Sequence, residues 1–182
     1  MRGAAEFVKA RFNYPIVAAE IGVEQGINAA EMVQKMQIER LYTIDPYVEY
    51  TDYLGGLCPQ YIQDQVYNTM FKNLSPHFDK IVLITKDSIN AVKLFSDEFF
   101  DFVYIDGNHN YASVKLDAEL WFRKVKKGGI LSGHDWDGRD ITSQQVTDAV
   151  RDFVKENNLK LMVFPEPGLG GRPGMGDWAI IR

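Results

Sequence analysis

Along the chain, short apolar runs rich in β-branched residues alternate with longer segments whose apolar positions recur every three or four residues. Residues 15–21, 41–45, 80–85, 102–106, 129–134, 160–164 and 178–181 predict seven strands. Between them, Ile62, Val66 and Met70, with Tyr67, Phe71 and Leu74 alongside, mark a helix over 59–74. Val114, Ala118, Trp121 and Val125 give the same stripe, and so do Val146, Val150 and Phe153 or Val154 after a capping Ser143. Asn28 followed by Glu31 has the spacing of a capping box for a helix carrying Ala30, Val33 and Met36, and Ser88 is placed to cap a short helix through Phe95.

Strand and helix in alternation predict an α/β fold: a seven-stranded, mostly parallel sheet with helices on both faces. Residues 165–176 hold three prolines and five glycines, too many breakers for a crossover helix, so the last strand is expected to return antiparallel at the sheet edge. Residues 47–57 have no clear period and read as a long loop beside the site. A chain of 182 residues, 46% hydrophobic and 25% charged, suits a single domain over 1–182, with 1–14 a short N-terminal extension.

The net charge of -5 disfavours nucleic acid and anionic membrane as partners, since both need a clustered positive field. The densest basic run, Arg123, Lys124, Lys126 and Lys127, sits at the end of a predicted helix and reads as a solvated face. A single cysteine, Cys58, leaves no intrachain disulfide and no multi-cysteine zinc site. With no apolar run near the ~20 residues of a membrane span and no secretory stretch, the expected location is cytoplasmic.

In open α/β sheets, ligands bind outside the carboxyl ends of the strands. Those ends carry Glu20, Asp45, Asp87, Asp106 and then His134 with Asp135: five carboxylates and a histidine expected in one crevice. The turn after the first strand has Gly22 and Gly26, but Glu24 stands where a pyrophosphate-binding G-x-G-x-x-G motif has its middle glycine. A nicotinamide oxidoreductase is therefore disfavoured, and the acid ahead of the turn suits a cationic ligand group. Asp45 stands 23 residues beyond Gly22, near the spacing at which an acid reaches ribose hydroxyls. The Asp87 carboxylate, just past the third strand, is placed to accept from an adenine amino group, while Ser88 also suits an N-cap. His109 is a candidate general base, and His134 a candidate ligand, base or support; His77 reads as ordinary surface.

The segments Glu20-Ile21-Gly22-Val23-Glu24-Gln25-Gly26, Asp45, Asp87-Ser88, Tyr104-Ile105-Asp106-Gly107-Asn108-His109-Asn110-Tyr111 and Gly128-Gly129-Ile130-Leu131-Ser132-Gly133-His134-Asp135 resemble the Rossmann-like (class I) S-adenosylmethionine-dependent methyltransferases. Within them, the Asp-Gly-x-His-x-Tyr stretch is similar to a small O-methyltransferase-like family often found with sugar and natural-product biosynthesis. The resemblance implies that Glu20, Gly22 and Gly26 line the methionine moiety, Asp45 holds the ribose, Asp87 and Ser88 flank the adenine, and Asp106 lies beside the transferring methyl. It implies O-methylation of a small hydroxylated acceptor, with Asp106, His109 and His134 as catalytic candidates. Metal-dependent members of the wider group place an Asp at the fourth strand end and an Asp-Asp or Asp-Asn pair after the fifth. Asp106, His134 and Asp135 would hold Mg²⁺ or another divalent metal on that pattern, with the histidine a departure toward softer ions. Tyr47, Tyr53, Trp136 and Arg172 are candidates to cover the acceptor. The short extension leaves little cap there, so a homodimer partner is expected to complete the pocket. A non-catalytic S-adenosylmethionine-binding module is the alternative reading.

Overall fold

The computed structural model describes residues 2–51, 56–136, 141–165 and 175–182, with the backbone alone for 141–143. In chain order the elements are α1 (Gly3–Arg11), β1 (Ile16–Ile21), α2 (Ile27–Lys35), β2 (Ile38–Ile44), β3 (Tyr50–Thr51), β4 (Leu57–Cys58), α3 (Gln60–Leu74), β5 (Ile81–Ile84), α4 (Ser88–Ala91), β6 (Phe100–Ile105), α5 (Tyr111–Phe122), β7 (Val125–Trp136), α6 (Ile141–Glu156), β8 (Leu161–Phe164) and β9 (Gly176–Ile181). All seven predicted strands form one sheet, in the order β5-β2-β1-β6-β7-β9-β8, and β9 runs antiparallel to both its neighbours. Strand order reverses between β1 and β6, so the crevice of an open α/β sheet falls at their carboxyl ends.

Two apolar layers hold the sheet. On one face, Ala19, Ile21, Val103, Ile105 and Leu131 pack against Val114, Ala118 and Trp121 of α5 and Val146, Val150 and Phe153 of α6. On the other, Ala18, Leu41, Phe102, Tyr104 and Ile130 meet α1, α2 and α3 through Ala4, Val8, Met32, Val33, Met70 and Leu74. No helix among the described residues is long and apolar enough to cross a membrane.

Several local expectations are corrected. Residues 3–11 of the supposed extension form α1, whose Ala4, Ala5 and Val8 are fully buried. The helix after β1 opens at Gly26 in a left-handed conformation, and no capping box forms because the Asn28 side chain turns to Glu20. Asp87, not Ser88, caps α4: its Oδ1 accepts the Asn90 N–H at 2.8 Å. Val125 is not the end of the α5 stripe but the first residue of β7, opposite Phe100, and β7 also takes in Lys126 and Lys127. Of the basic run, Lys124 pairs with Asp97 and Lys126 with Asp101. Ser143 lies inside α6 and its side chain is outside the described residues, as are Tyr53 and Arg172. The 47–57 loop carries the short antiparallel pair β3–β4.

Candidate active site

A cavity of about 880 Å³ lies over the carboxyl ends of β1, β2 and β6. It is within the range of small-molecule and cofactor sites, roughly 300–1,000 Å³. Glu20, Gly22, Asp45, Asp87, Ser88, Asp106 and His109 line it, whereas Gly26 does not. Gly26 sits behind, with φ of 75° and its Cα turned toward Leu74, where it lets α2 start. Gly22, at φ 81°, presses its backbone onto the end of β6: a Cβ there would come within 2.1 Å of the Asp106 carbonyl oxygen. The Asp106 N–H in turn donates to the Ile21 carbonyl at 2.7 Å, so the turn after β1 and the end of β6 form one rigid floor.

Glu20 is buried in β1, with Oε1 accepting from Asn28 Nδ2 at 2.8 Å. Its Oε2 and the Asn28 Oδ1 are buried acceptors without a protein partner among the described residues. Burial pushes the Glu20 carboxyl up to about 8, against the lowering pull of the Asn28 hydrogen bond. Once Glu20 is ionised, the two unpaired acceptors at one spot suit a ligand with several N–H donors, and an ammonium group has three.

Asp45 braces the same turn. Its Oδ2 accepts the N–H groups of Val23 and Glu24 at 2.9 and 3.0 Å, and Oδ1 accepts that of Tyr47 at 3.1 Å. An ionised carboxylate has about four acceptor sites, so a ligand hydroxyl can still be received. Asp87 is held below the usual carboxylate range by its bonds to Asn90. The Ser88 hydroxyl is committed to Asp117 Oδ1 and accepts from Trp121 Nε1 at 2.7 Å. Asp117 was not foreseen: it is a buried carboxyl lining the cavity, raised to about 6 by burial. The signal was its place three residues after Val114 and four before Trp121, an acid on the apolar stripe.

At the carboxyl ends of β6 and β7, Asp106, His109, His134 and Asp135 converge, the first two lining the cavity. Asp135 stands between the two imidazoles, with Oδ2 3.1 Å from His109 Nε2 and Oδ1 3.0 Å from His134 Nδ1. Asp106 Oδ1 is 3.7 Å from His109 Nε2 and 4.0 Å from His134 Nδ1. Both histidines border a void of about 10 Å³ together with Asp106 and Trp178. Burial works to raise Asp106, but His109, Arg2 and His134 outweigh it and keep the carboxyl below its usual range. For His134, burial works to lower the ring, yet the bond to Asp135 and the charges of Asp135 and Asp106 raise it, so it holds a proton more readily than a free imidazole. One ligand atom from each of Asp106, His134 and Asp135 lies within 4.8 Å of the others. His77, by contrast, lies 3.1 Å from Gln34 Nε2, through its own Nε2, away from the cluster.

Arg2 is the second residue that sequence reasoning missed. Its Nη1 donates to Asp106 Oδ2 at 2.8 Å and to the Tyr104 hydroxyl at 2.9 Å, partners 104 and 102 residues away. This arginine thus brings the segment ahead of β1 onto the wall of the cavity.

The chain matches the family described as methyltransferase domain over residues 19–136. No curated protein matches it in sequence. Among solved structures it is similar to cofactor-bound Rv0187 from MTB, at 14% identity and a TM-score of 0.70 over 98% of this chain and 77% of that one. An O-methyltransferase from Bacillus cereus in complex with SAH gives 14% identity and a TM-score of 0.67 over 98% and 80%. An rRNA methylase from Streptococcus thermophilus gives 12% and 0.67 over 98% and 93%. At these identities the likeness is one of fold.

Proposed function

Because the chain belongs to the methyltransferase-domain family, whose members use S-adenosylmethionine on this Rossmann-like fold, we propose that it methylates a hydroxyl oxygen of a small acceptor, of the sugar or natural-product type. The observation that carries this reading is the convergence of Asp106, His109, His134 and Asp135 at the strand ends bordering the cavity. A hydroxyl is a weak nucleophile until its proton is taken, and an imidazole oriented by a carboxylate is the usual side chain for that task. The net charge of -5 supports a small acceptor over a nucleic acid.

When bound, S-adenosylmethionine supplies a methyl group already activated by its sulfonium. The orphaned Glu20 Oε2 and Asn28 Oδ1 fit its ammonium group, Asp45 its ribose hydroxyls, and Asp87 with Asp117 the adenine side of the cavity. Asp135 orients both imidazoles, and His109, which lines the cavity, accepts the acceptor's proton. Asp106 keeps its negative charge beside the reacting centre, where it favours cations. The protein's contribution is mainly alignment, which supplies roughly 7–11 kcal/mol in well-oriented reactions.

The oxygens of Asp106 and Asp135 with the His134 imidazole fit a divalent cation of intermediate hardness, Mn²⁺ as well as Mg²⁺. Such an ion, when bound, lowers the pKa of a hydroxyl it contacts. The test is transfer of labelled methyl to a panel of hydroxylated acceptors, using enzyme stripped with chelator and resupplied with Mg²⁺ or Mn²⁺. Turnover on hydroxyl acceptors is expected to return with metal and to fall roughly 100-fold or more in His109→Ala. Transfer only to nitrogen or carbon acceptors would overturn the O-methylation reading, and full activity after chelation the metal.

A further inference from the structure

Arg2 leads into α1, and its guanidinium lies on the cavity wall. Besides the bonds to Asp106 and Tyr104, it stands over the Tyr104 ring, 5.6 Å from the centroid. Two buried polar groups fix it there. The Tyr104 hydroxyl donates to Asp177 Oδ1 at 2.7 Å, and Asp177 Oδ2 accepts the Ala4 N–H at 2.8 Å, which clamps the start of α1 to β9. A phenol and a carboxylate inside an apolar layer are unfavourable unless hydrogen-bonded, and here every such bond leads toward Arg2.

Glu20 and Tyr104 are register partners across β1 and β6, so they project from the same face of the sheet. The buried acid with its orphaned oxygen and the arginine held on Tyr104 therefore flank one end of the cavity. Only Nη1 of Arg2 is bonded among the described residues, which leaves Nε and Nη2, one edge of the guanidinium fork, for a ligand. An acid with orphaned acceptors beside a guanidinium is complementary to an α-amino acid: ammonium to Glu20 and Asn28, carboxylate to Arg2.

We propose that Arg2 binds the carboxylate of the cofactor's methionyl group, so that the segment ahead of the first strand supplies part of the cofactor site. The inference rests on the cofactor reading above. It makes Arg2 a selector for ligands that keep the amino-acid carboxylate.

The test compares S-adenosylhomocysteine with 5′-methylthioadenosine, which lacks the amino-acid carbons, by calorimetric titration of the full chain and its Arg2→Met and Arg2→Lys variants. Loss of one charge-assisted contact corresponds to roughly 10- to 100-fold in affinity. Arg2→Met is expected to weaken S-adenosylhomocysteine by that factor and leave 5′-methylthioadenosine within about twofold, with Arg2→Lys intermediate. Equal weakening of both ligands, or of neither, overturns the role of Arg2 while leaving the cofactor assignment standing. Failure of the wild type to bind either ligand overturns the cofactor assignment and this inference with it.

Discussion

Asp106→Asn is expected to lower kcat/KM for methyl transfer by roughly 10²- to 10⁴-fold, the span of a lost acid–base or charge contribution. The substitution keeps size and shape, so far-UV circular dichroism should be unchanged. What it removes is a negative charge on which Arg2, His109 and His134 all bear. Without it, His134 loses one of the two charges that raise it, Arg2 loses its ion-pair partner, and cations at the site lose a carboxylate. Near-normal turnover in this variant would remove Asp106 from the reaction.

Gly22→Ala should act on the fold and the site together. A Cβ would sit 2.1 Å from the Asp106 carbonyl oxygen and 2.6 Å from the Gly107 Cα, both backbone atoms that cannot swing aside. The φ of 81° adds a conformational penalty that glycine escapes. Overpacking and strain together should destabilise by roughly 3 kcal/mol or more, which lowers Tm by about 6–12 °C in a chain of this size. Since the same contact seats the turn beside Glu20, S-adenosylhomocysteine affinity should fall with it. A Tm within a degree or two of wild type would show that the two strand ends can part without penalty.

The strands were legible because each is a short apolar run set between helical or breaker-rich segments, and the cavity acids were legible because strand ends are where an α/β sheet presents groups to ligands. The boundary errors have local causes. The start of β7 is Val125-Lys126-Lys127, whose lysines look like a helix tail until Lys126 is seen to pair with Asp101. Asn28 has a capping residue's spacing, but a buried Glu20 competes for its amide and wins. α1 left little trace because its buried residues are mainly alanines, and a nine-residue helix of this kind is marginal without a sheet to lie on. Arg2 had no local signal at all: its place is set by Tyr104, Asp106 and Asp177, which only the folded sheet brings near it. Asp117 was readable as a misfit on an apolar stripe, whereas the commitment of Ser88 to it was not.

The central claim is that the acidic cavity receives the amino-acid end of S-adenosylmethionine at Glu20. The most direct measurement is calorimetric titration with S-adenosylhomocysteine near neutral pH, in buffers of different ionisation heat, with NAD as the comparison ligand. Free Glu20, raised to about 8, is mostly protonated there, and pairing with an ammonium requires it to ionise. The account therefore predicts tight binding of S-adenosylhomocysteine at one site with release of a proton, an affinity that strengthens as pH rises toward 8, and far weaker binding of NAD. Loss of the proton release in Glu20→Gln would place it at that carboxyl. No heat from S-adenosylhomocysteine at high micromolar concentration, or NAD binding as tightly, would contradict the account.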